Sequence, residues 1–270
     1  MKLIVTRPLG QAAPWVTRLQ ALGVEAQVLP LLRIDPLEDT APLRDAWARL
    51  STYTMVFFAS ANAVQYFFAA APSAGQAPPL GHWPAGVWAG SPGPGTTAAL
   101  RSACVPATQL VEPDPAAGQF DSEALWLELQ FRSWAGRCVL VVRGEEGRDW
   151  LADALRSRGA EVKFIAAYRR RPPRLDATGV QTLVDALTQP EQHLWHFSSS
   201  EGVGYLLALG QRLTPPADWS RSRAVASHPR IAQRARDSGF GQVHEVGANV
   251  QAVVDWLADP AASRKKTRLP

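Results

Sequence analysis

The chain has 270 residues, 46% hydrophobic and 19% charged, a composition that suits one large or two medium globular domains. No apolar run approaches the ~20 residues that span a bilayer, and the apolar stretch before Arg7 is too short for a secretory signal, so we expect a cytoplasmic protein with no membrane partner. The formal net charge of +4 comes from the segment 263–270, which we predict to be a disordered basic tail, and the neutral remainder argues against a nucleic-acid partner.

Short apolar segments alternate with helical patterns along the chain. Leu3–Thr6 is apolar, apolar residues at helical spacing follow as far as Gly23, and Val24–Leu29 alternates as an extended segment. The same order recurs, with further strands predicted over 55–59, 86–89, 138–142, 162–165, 194–197, 223–226 and 242–246. Such alternation predicts parallel sheets of the α/β class.

An internal repeat relates two parts of the chain. Residues 3–32 align without a gap on residues 139–168. A second match, between 58–66 and 197–205, follows in the same order. Two matches in one order indicate a tandem duplication of one α/β unit.

Proline-rich segments separate these patterns. Pro30–Pro36 and Tyr168–Pro173 occupy equivalent places in the two repeats, and both are predicted to be extended, arginine-bearing linkers. Pro72–Pro84 and Pro113–Gly118 are predicted to be surface loops because they are rich in proline, glycine and alanine.

Cysteine and histidine provide few candidate metal ligands. Cys104 and Cys138 are the two cysteines, and we expect them to be buried thiols rather than part of a disulfide framework. His193 and His196 are predicted to flank a strand start and to point to opposite faces, with no cysteine or carboxylate cluster at ligand spacing. The sequence therefore predicts no metal site, and a structural or surface role for these histidines.

Polar residues follow several predicted strands. Gly90–Thr97 follows a strand and opens a helix, but it lacks the lysine of a P-loop and the glycine spacing of the dinucleotide fingerprint. Nucleotide binding, carboxylate binding and simple helix capping all remain open there. Ser60 and Ser199 also stand between a strand and a helix, where a serine is an N-cap, a ligand contact or both.

Five motifs, in this order, resemble the uroporphyrinogen-III synthase family. They are Val5-Thr-Arg7-Pro8, Phe57-Phe58-Ala-Ser60-Ala-Asn62-Ala-Val64, Gly93-Pro-Gly95-Thr96, Val141-Val-Arg143-Gly144 through Gly159-Ala-Glu-Val162, and Phe197-Ser-Ser199. The resemblance runs from residue 2 to residue 258. Each motif is short, so their order and spacing carry the resemblance.

The resemblance implies an α/β fold of two flavodoxin-like or Rossmann-like parallel-sheet domains, related by the internal duplication and joined by two extended linkers. One domain would comprise 1–33 and 171–262, the other 36–168, with the tail 263–270 outside both. The repeat alone would place a boundary near residue 137. The two linkers at equivalent positions favour the crossed arrangement.

The resemblance also implies an enzyme, a cyclising lyase that closes hydroxymethylbilane to uroporphyrinogen III with inversion of ring D and loss of water. The substrate would lie in an inter-domain cleft, and the chain would act as a monomer without a cofactor or a metal. Departure of the hydroxyl needs a hydrogen-bond donor, and Tyr168, predicted to end a strand, matches the family's tyrosine. Because a free phenol with a pKa near ~10 is a weak acid, we expect assistance rather than obligatory catalysis.

The eight substrate carboxylates are expected to bind many hydroxyl, backbone and arginine donors. Positions that match the family's cleft, or that follow strands at their carboxyl ends, are Arg7, Ser60, Asn62, Thr96, Arg143, Gly144, Ser199 and Ser200. Ser227 is a further candidate, in a run that lacks the threonine often found in the family's equivalent loop. Arg169, Arg170, Arg171 and Arg174 either attract the polyanion or are solvated.

A non-catalytic, two-lobed protein that closes on a small anion is the alternative. An exported version would need a signal sequence, and a sensor version would need a DNA-binding module. The sequence shows neither pattern.

Overall fold

The computed structural model describes residues 1–71, 83–117 and 119–259. The predicted tail 263–270, Gly118 and most of the loop predicted over 72–84 lie outside the described residues. The chain forms two compact units. The first comprises Met1–Arg33 with the chain from Arg171 onward, and the second comprises Ile34–Arg170.

Strands and helices alternate as the sequence predicts. In chain order they are β1 (Lys2–Val5), α1 (Leu9–Ala21), β2 (Ala26–Val28), β3 (Arg33–Pro36), α2 (Ala41–Ala48), β4 (Met55–Phe58), α3 (Ala61–Ala69), β5 (Trp88–Gly90), α4 (Pro94–Ser102), β6 (Leu110–Val111), α5 (Ser122–Leu129), β7 (Cys138–Gly144), α6 (Trp150–Ser157), β8 (Glu161–Arg171), α7 (Ala177–Thr188), β9 (His193–Phe197), α8 (Ser200–Gly210), β10 (Arg223–Ala226), α9 (Pro229–Asp237), β11 (Gln242–Glu245) and α10 (Val250–Ala258). Short 3-10 turns occupy Leu50–Thr52, Ala107–Gln109, Pro115–Ala117 and Pro190–Gln192.

The first unit contains a five-stranded sheet in the order β2-β1-β9-β10-β11. Each neighbouring pair in it is parallel, and Leu3 of β1 lies opposite Ala26 of β2 and Leu194 of β9. Numbered by position in a single unit, this is the 2-1-3-4-5 strand order of flavodoxin-like folds. The predicted parallel α/β class is therefore confirmed.

The second unit contains a six-stranded sheet in the order β3-β8-β7-β4-β5-β6. The five strands from β8 to β6 are parallel, with β3 added at the edge beside β8. Numbered by place in the repeat, with β7 and β8 as strands 1 and 2, they give the same 2-1-3-4-5 order. The duplication is thus crossed. Strands β1 and β2 of the first repeat lie with β9 to β11 of the second, whereas β7 and β8 lie with β4 to β6.

Apolar side chains cover both faces of each sheet, because alternate residues of a strand point to opposite faces. In the first sheet Ile4 packs with residues of α7, α8 and α9, and Leu3 packs with residues of α1 and α10. In the second sheet Phe58 packs toward α2 and α3, and Phe57 packs toward α5 and α6. Burial of these side chains, at about 25 cal/mol per Å² of apolar area, is the main favourable contribution to folding.

Glycine ends the first helix of each repeat. Gly23 follows α1 with φ of 78°, and Gly159 follows α6 with φ of 84°. Both values lie in the left-handed region, which glycine enters without the steric penalty of a Cβ. The predicted helix stop at Gly23 is confirmed.

The linkers differ from the sequence expectation. Arg33–Pro36, predicted to be part of a linker, forms the edge strand β3, and the two-residue strand β6 was not predicted. Strand β8 continues to Arg171, so Tyr168 lies inside a strand rather than at its end. Because both linker segments are extended, they can add hydrogen bonds to the sheet wherever the topology brings them together.

The expectation of buried cysteines was wrong. Cys104 is exposed and Cys138 is half-buried, and both are free thiols. Cys104 follows α4 with φ of 61°, at the end of the helix where the chain turns. Cys138 is the first residue of β7, beyond the densest part of the core.

Candidate functional site

The carboxyl ends of the central strands mark a candidate site in each unit. Strand order reverses between β1 and β9 in the first sheet and between β7 and β4 in the second. Open α/β sheets bind ligands in the crevice at such a reversal.

In the second unit, the Tyr168 side chain reaches across one strand to a helix cap. Tyr168 of β8 lies opposite Gly144 of β7, and its hydroxyl oxygen is 3.0 Å from the Oγ of Ser60, which follows β4. A Cβ at Gly144 would lie 3.2 Å from two ring carbons of Tyr168. The tyrosine is 1% exposed, and its ring stacks on that of Tyr66 with 6.0 Å between centroids. The structure thus brings together three residues that the sequence selected separately.

Two further groups surround the Tyr168 hydroxyl. Ser60 is the N-cap of α3, and its Oγ accepts the backbone N–H of Ala63 at 3.1 Å, which confirms the predicted capping role. Arg170 donates from Nη2 to the Tyr168 hydroxyl oxygen at 3.2 Å. Asn62, in the first turn of α3, is half-buried. Arg170 is one of the four arginines predicted either to attract the polyanion or to be solvated, and its contact with Tyr168 follows from their two-residue spacing on one strand.

The glycine loop after β5 satisfies several of its own N–H groups. Gly93 is the N-cap of α4, and its N–H donates to the Oγ of Ser91 at 3.2 Å. The N–H groups of Thr96 and Thr97 both donate to the Gly93 carbonyl at 3.1 Å. The Thr96 side chain is 6% exposed. The predicted strand-to-helix loop is confirmed, but these three N–H groups already have partners and are not available to a phosphate.

Arg143 lies on the other face of the second sheet from Tyr168. Its Nη1 forms an ion pair with Oδ1 of Asp149, and its guanidinium lies 4.3 Å from the centroid of the Phe164 ring. Phe164 packs with the α5 and α6 cluster, whereas Tyr168 belongs to the α2 and α3 cluster. The structure therefore separates Arg143 from the tyrosine hydroxyl, although Arg143 and Gly144 are adjacent on β7.

In the first unit, Arg7 lies in an aromatic cluster just after β1. Its guanidinium is 4.0 Å from the centroid of the Trp15 ring, and Nη2 donates to the carbonyl of Ala248 at 3.2 Å. Nε is buried and has no partner in the described part of the chain. Burial lowers the pKa of Arg7 to about 10, which means that the site opposes the charged form but does not neutralise it at physiological pH.

His196 completes this cluster. It lies on β9 opposite Val5, is 0% exposed, and packs against Trp15 with 4.8 Å between ring centroids. Both ring nitrogens lack a hydrogen-bond partner among the described residues. Burial, and then the nearby charge of Arg7, lower the pKa of His196 to about 3, so the ring is neutral at physiological pH. His196 is thus a buried packing residue, and its proximity to Arg7 depends on topology and was not predicted.

Three serines follow the central strands of the first unit. Ser199 is the N-cap of α8, confirmed by a backbone N–H that donates to its Oγ at 3.3 Å, and Ser200 is the first residue of that helix. Ser227 follows β10, and its N–H donates to the carbonyl of Phe197 at 3.1 Å. The next residue, His228, is the N-cap of α9. These serines are at the carboxyl edge that the sequence predicts.

The described part of the chain contains neither a metal-ligand cluster nor a helix that could cross a membrane. Across residues 1–71, 83–117 and 119–259, no group of three or more histidine, cysteine or acidic side chains is arranged to hold a metal ion. None of the helices within those ranges combines the length and the apolar character needed to cross a membrane.

Together, the fold and its two edge clusters define a two-unit α/β protein whose candidate ligand groups are hydroxyl, phenol and arginine donors. The family model described as uroporphyrinogen-III synthase HemD matches residues 13–254. The chain therefore belongs to the uroporphyrinogen-III synthase family, whose members are cyclising lyases of heme biosynthesis.

Individual relatives agree with this assignment. The uroporphyrinogen-III synthase of Salmonella typhimurium is 30% identical over 252 residues, which cover 90% of this chain and 94% of the relative. The structure is similar to that of a mutant uroporphyrinogen III synthase from Thermus thermophilus, with a TM-score of 0.58, 19% identity, and 98% and 99% of the two chains covered. The Helicobacter pylori enzyme gives a TM-score of 0.58 at 14% identity, with 95% and 98% covered. The two structural comparisons support the fold.

Proposed function

We propose that the chain closes hydroxymethylbilane to uroporphyrinogen III, with inversion of ring D and loss of water. The observation that carries this proposal is the 30% identity to the Salmonella typhimurium synthase over 90% of this chain and 94% of that one. A match of this extent includes both flavodoxin-like sheets and both candidate edges, rather than one shared module.

The reaction is demanding mainly in geometry. The bilane closes without help to the isomer in which ring D is not inverted, so the enzyme must hold the chain folded for attack at the substituted carbon of the last pyrrole. Holding reacting atoms in a near-attack arrangement contributes up to roughly 7–11 kcal/mol in favourable cases. The leaving hydroxyl needs a proton or a hydrogen bond, and the cation that remains must be shielded from water.

Tyr168 is the proposed donor to the departing hydroxyl. Its oxygen is held by Ser60 and Arg170, and its ring is fixed between Gly144 and Tyr66. Because the tyrosine is only 1% exposed, we expect substrate binding to open access to the hydroxyl while its contacts with Ser60 and Arg170 remain. A donor held in this way presents its proton to a substrate hydroxyl in one position, and the folding of the bound chain then sets the isomer.

Arg7 is the proposed partner of a substrate carboxylate. It is buried beside Trp15, and in the described chain its guanidinium donates to the carbonyl of Ala248 while Nε has no partner. A buried cation without an opposite charge is unfavourable, and a carboxylate would remove that penalty through charge-assisted hydrogen bonds. The other predicted carboxylate-binding residues, Asn62, Thr96, Arg143, Gly144, Ser199, Ser200 and Ser227, remain predictions, as does the inter-domain cleft.

We propose that the chain works in the cytoplasm as a monomer, without a cofactor, a membrane or a nucleic-acid partner. Light scattering of the purified chain measures its mass against the 29.3 kDa of one copy. Activity after exhaustive dialysis against a chelator tests the absence of a metal requirement.

An isomer assay tests the proposed activity. Purified protein is incubated with freshly generated hydroxymethylbilane, the products are oxidised, and type I and type III uroporphyrin are separated by chromatography. We expect predominantly type III. Type I alone, from a protein that is folded, would overturn the proposal and favour the two-lobed anion-binding protein.

Tyr168→Phe tests the proposed donor. We expect kcat to fall about 10- to 100-fold, with the free energy of unfolding changed by less than about 1.5 kcal/mol. Tyr66→Phe is the matched control, because it removes a hydroxyl that donates to the carbonyl of Ile34 at 3.4 Å and not to the Ser60 group. Equal kcat values for the two variants would exclude a donor role for Tyr168.

A further inference from the structure

We infer that Arg170 is a positioning residue which, together with Ser60, directs the hydroxyl proton of Tyr168 toward the reacting hydroxyl of the substrate. This inference rests on the proposed donor role of Tyr168. It assigns to Arg170 a function distinct from general attraction of a polyanion.

The direction of the first hydrogen bond is fixed by chemistry. A guanidinium has five N–H donors and no acceptor, so Arg170 can only donate to the Tyr168 oxygen, over 3.2 Å. One lone pair of the phenol oxygen is therefore occupied. The positive charge also lies beside the atom that becomes more negative when the phenol gives up its proton to the leaving group.

The second hydrogen bond joins the phenol to a helix cap. The Ser60 Oγ accepts the N–H of Ala63 at 3.1 Å, so its oxygen faces the positive end of α3. Oγ keeps one lone pair and its own hydrogen, so either oxygen can donate across the 3.0 Å between Oγ and the Tyr168 oxygen. When Ser60 donates, the phenol oxygen accepts from both Ser60 and Arg170.

In the arrangement in which Ser60 donates, the phenol proton takes part in neither contact. It then points outward from Ser60 and Arg170 and can be donated to a third group. The buried surroundings strengthen these hydrogen bonds, because water does not compete for them. The substrate hydroxyl is the group that the reaction supplies.

Arg170 and the next residue, Arg171, lie on opposite faces of β8. Residues two apart on a strand share a face, so Arg170 lies on the same face of β8 as Tyr168, and Arg171 lies on the other. Arg170 is half-buried, whereas Arg171 is exposed. Arg171→Gln therefore removes the same charge from the same strand without touching the phenol, and it is a matched control.

The contact is tested first without catalysis. The chain has four tyrosines, so protein labelled with 13C at the tyrosine ζ carbon gives four resonances, and Tyr168→Phe assigns one of them. We expect Arg170→Gln to shift the Tyr168 resonance and Arg171→Gln to leave it in place. An unmoved resonance in folded Arg170→Gln protein would overturn the inference. Urea unfolding of each variant establishes that the protein is folded.

Kinetics then test the positioning role. We expect Arg170→Gln to lower kcat about tenfold with KM changed less than about threefold, and Arg170→Lys to restore part of the loss because it keeps a cationic donor. In a Tyr168→Phe background, we expect Arg170→Gln to change kcat less than about twofold, since the oxygen it acts on is absent.

The outcomes separate the inference from the proposed function. If Arg170→Gln lowers kcat equally in both backgrounds, the arginine acts on the substrate and not through Tyr168, and the inference fails while the donor role stands. If Tyr168→Phe is as active as the unchanged protein, the donor role fails and the inference fails with it. Type III production by the unchanged chain remains valid in either case.

Discussion

Arg7 and Arg143 occupy equivalent positions in the duplicated unit, at the carboxyl ends of β1 and β7, but their surroundings differ. Arg143 has an acidic partner, Asp149, whereas no acidic side chain in the described ranges pairs with Arg7. Burial lowers the pKa of Arg7 to about 10. The polar groups around Tyr168 in the second unit, by contrast, are paired with one another.

Because of this difference, the two units are suited to different interactions with a ligand. Both copies keep the order of strand and helix, and Ser60 and Ser199 cap equivalent helices, but the groups around Arg7 and Arg143 differ. The first unit carries an uncompensated buried charge, so it gains most from an anionic ligand. The second unit carries a completed hydrogen-bond set, so it is better suited to hold one hydroxyl in a fixed direction.

Gly144→Val would disturb the hydroxyl cluster most. A Cβ at this position would lie 3.2 Å from the Tyr168 ring, and the two methyl groups of valine require a larger shift of the ring. A displacement approaching about 1 Å costs on the order of 100-fold in kcat, and we expect the free energy of unfolding to fall by about 1–3 kcal/mol. Gly95→Ala in α4, where an added Cβ meets nothing within 4 Å, is the control. An unchanged kcat in Gly144→Val would show that the ring position does not matter.

Arg7→Met in the first unit and Arg143→Met in the second are compared by their unfolding free energies and KM values. A methionine side chain in place of Arg7 keeps the apolar stem over Trp15 and removes the buried charge. We therefore expect a gain of about 1–3 kcal/mol in unfolding free energy and a rise in KM of roughly tenfold or more. Arg143→Met loses a partly exposed ion pair, and we expect its stability to change by less than about 1 kcal/mol. Urea unfolding and steady-state kinetics measure both. A loss of stability in Arg7→Met would contradict the argument.

Acid should destabilise the first unit through His196. Its folded pKa of about 3 lies below the ordinary value of 6.5, so the unfolded chain binds a proton first as the pH falls below 6.5. At about pH 5 this removes about 2 kcal/mol of stability relative to about pH 7, and the loss continues down to about pH 3.

Urea unfolding at about pH 7 and about pH 5 checks this prediction. His196→Leu should lose about 2 kcal/mol less than the unchanged chain between these pH values, because it has no imidazole to protonate. His193→Gln, on the same strand, is the control and should retain the loss. If all three proteins respond equally to pH, His196 does not cause the acid sensitivity.

Substitution of the two capping serines is expected to give the smallest difference in kcat between the units. Ser60→Ala and Ser199→Ala each remove an N-cap, and we expect both to lower the free energy of unfolding by about 1 kcal/mol. The Ser60 Oγ lies 3.0 Å from the Tyr168 hydroxyl oxygen, so we expect kcat to fall severalfold in Ser60→Ala and to stay unchanged in Ser199→Ala. Equal kcat losses would mean that the Ser60–Tyr168 hydrogen bond has no specific role.

The sequence predicted the elements that follow local rules. Apolar runs identified the buried central strands, Gly23 marked the end of α1, and the position of Ser60 and Ser199 between strand and helix identified two N-caps. Strands β3 and β6 were missed because a short strand at or near a sheet edge depends on pairing rather than on its own apolar pattern.

The candidate sites depend more strongly on tertiary contacts. The sequence selected Tyr168 and Ser60, but their contact requires that β8, β7 and β4 be neighbours and that Gly144 leave space between them. The burial of His196 beside Arg7 likewise needs β9 to pair with β1, across most of the chain. No local spacing contains that information.

The crossed topology also sets an order of events during synthesis. Strands β4 to β8, which form the second sheet with β3, are contiguous in the chain, so this sheet can assemble soon after residue 171 leaves the ribosome. Strands β1 and β2 are made first, but β1 cannot meet β9 until residues 193–197 emerge. At about 5–20 residues per second, that delay is roughly 10–40 s. During this interval the edge of β1 that will pair with β9 has no native partner. The nascent chain can therefore aggregate or be bound by a chaperone at this strand, which is the first to be synthesised.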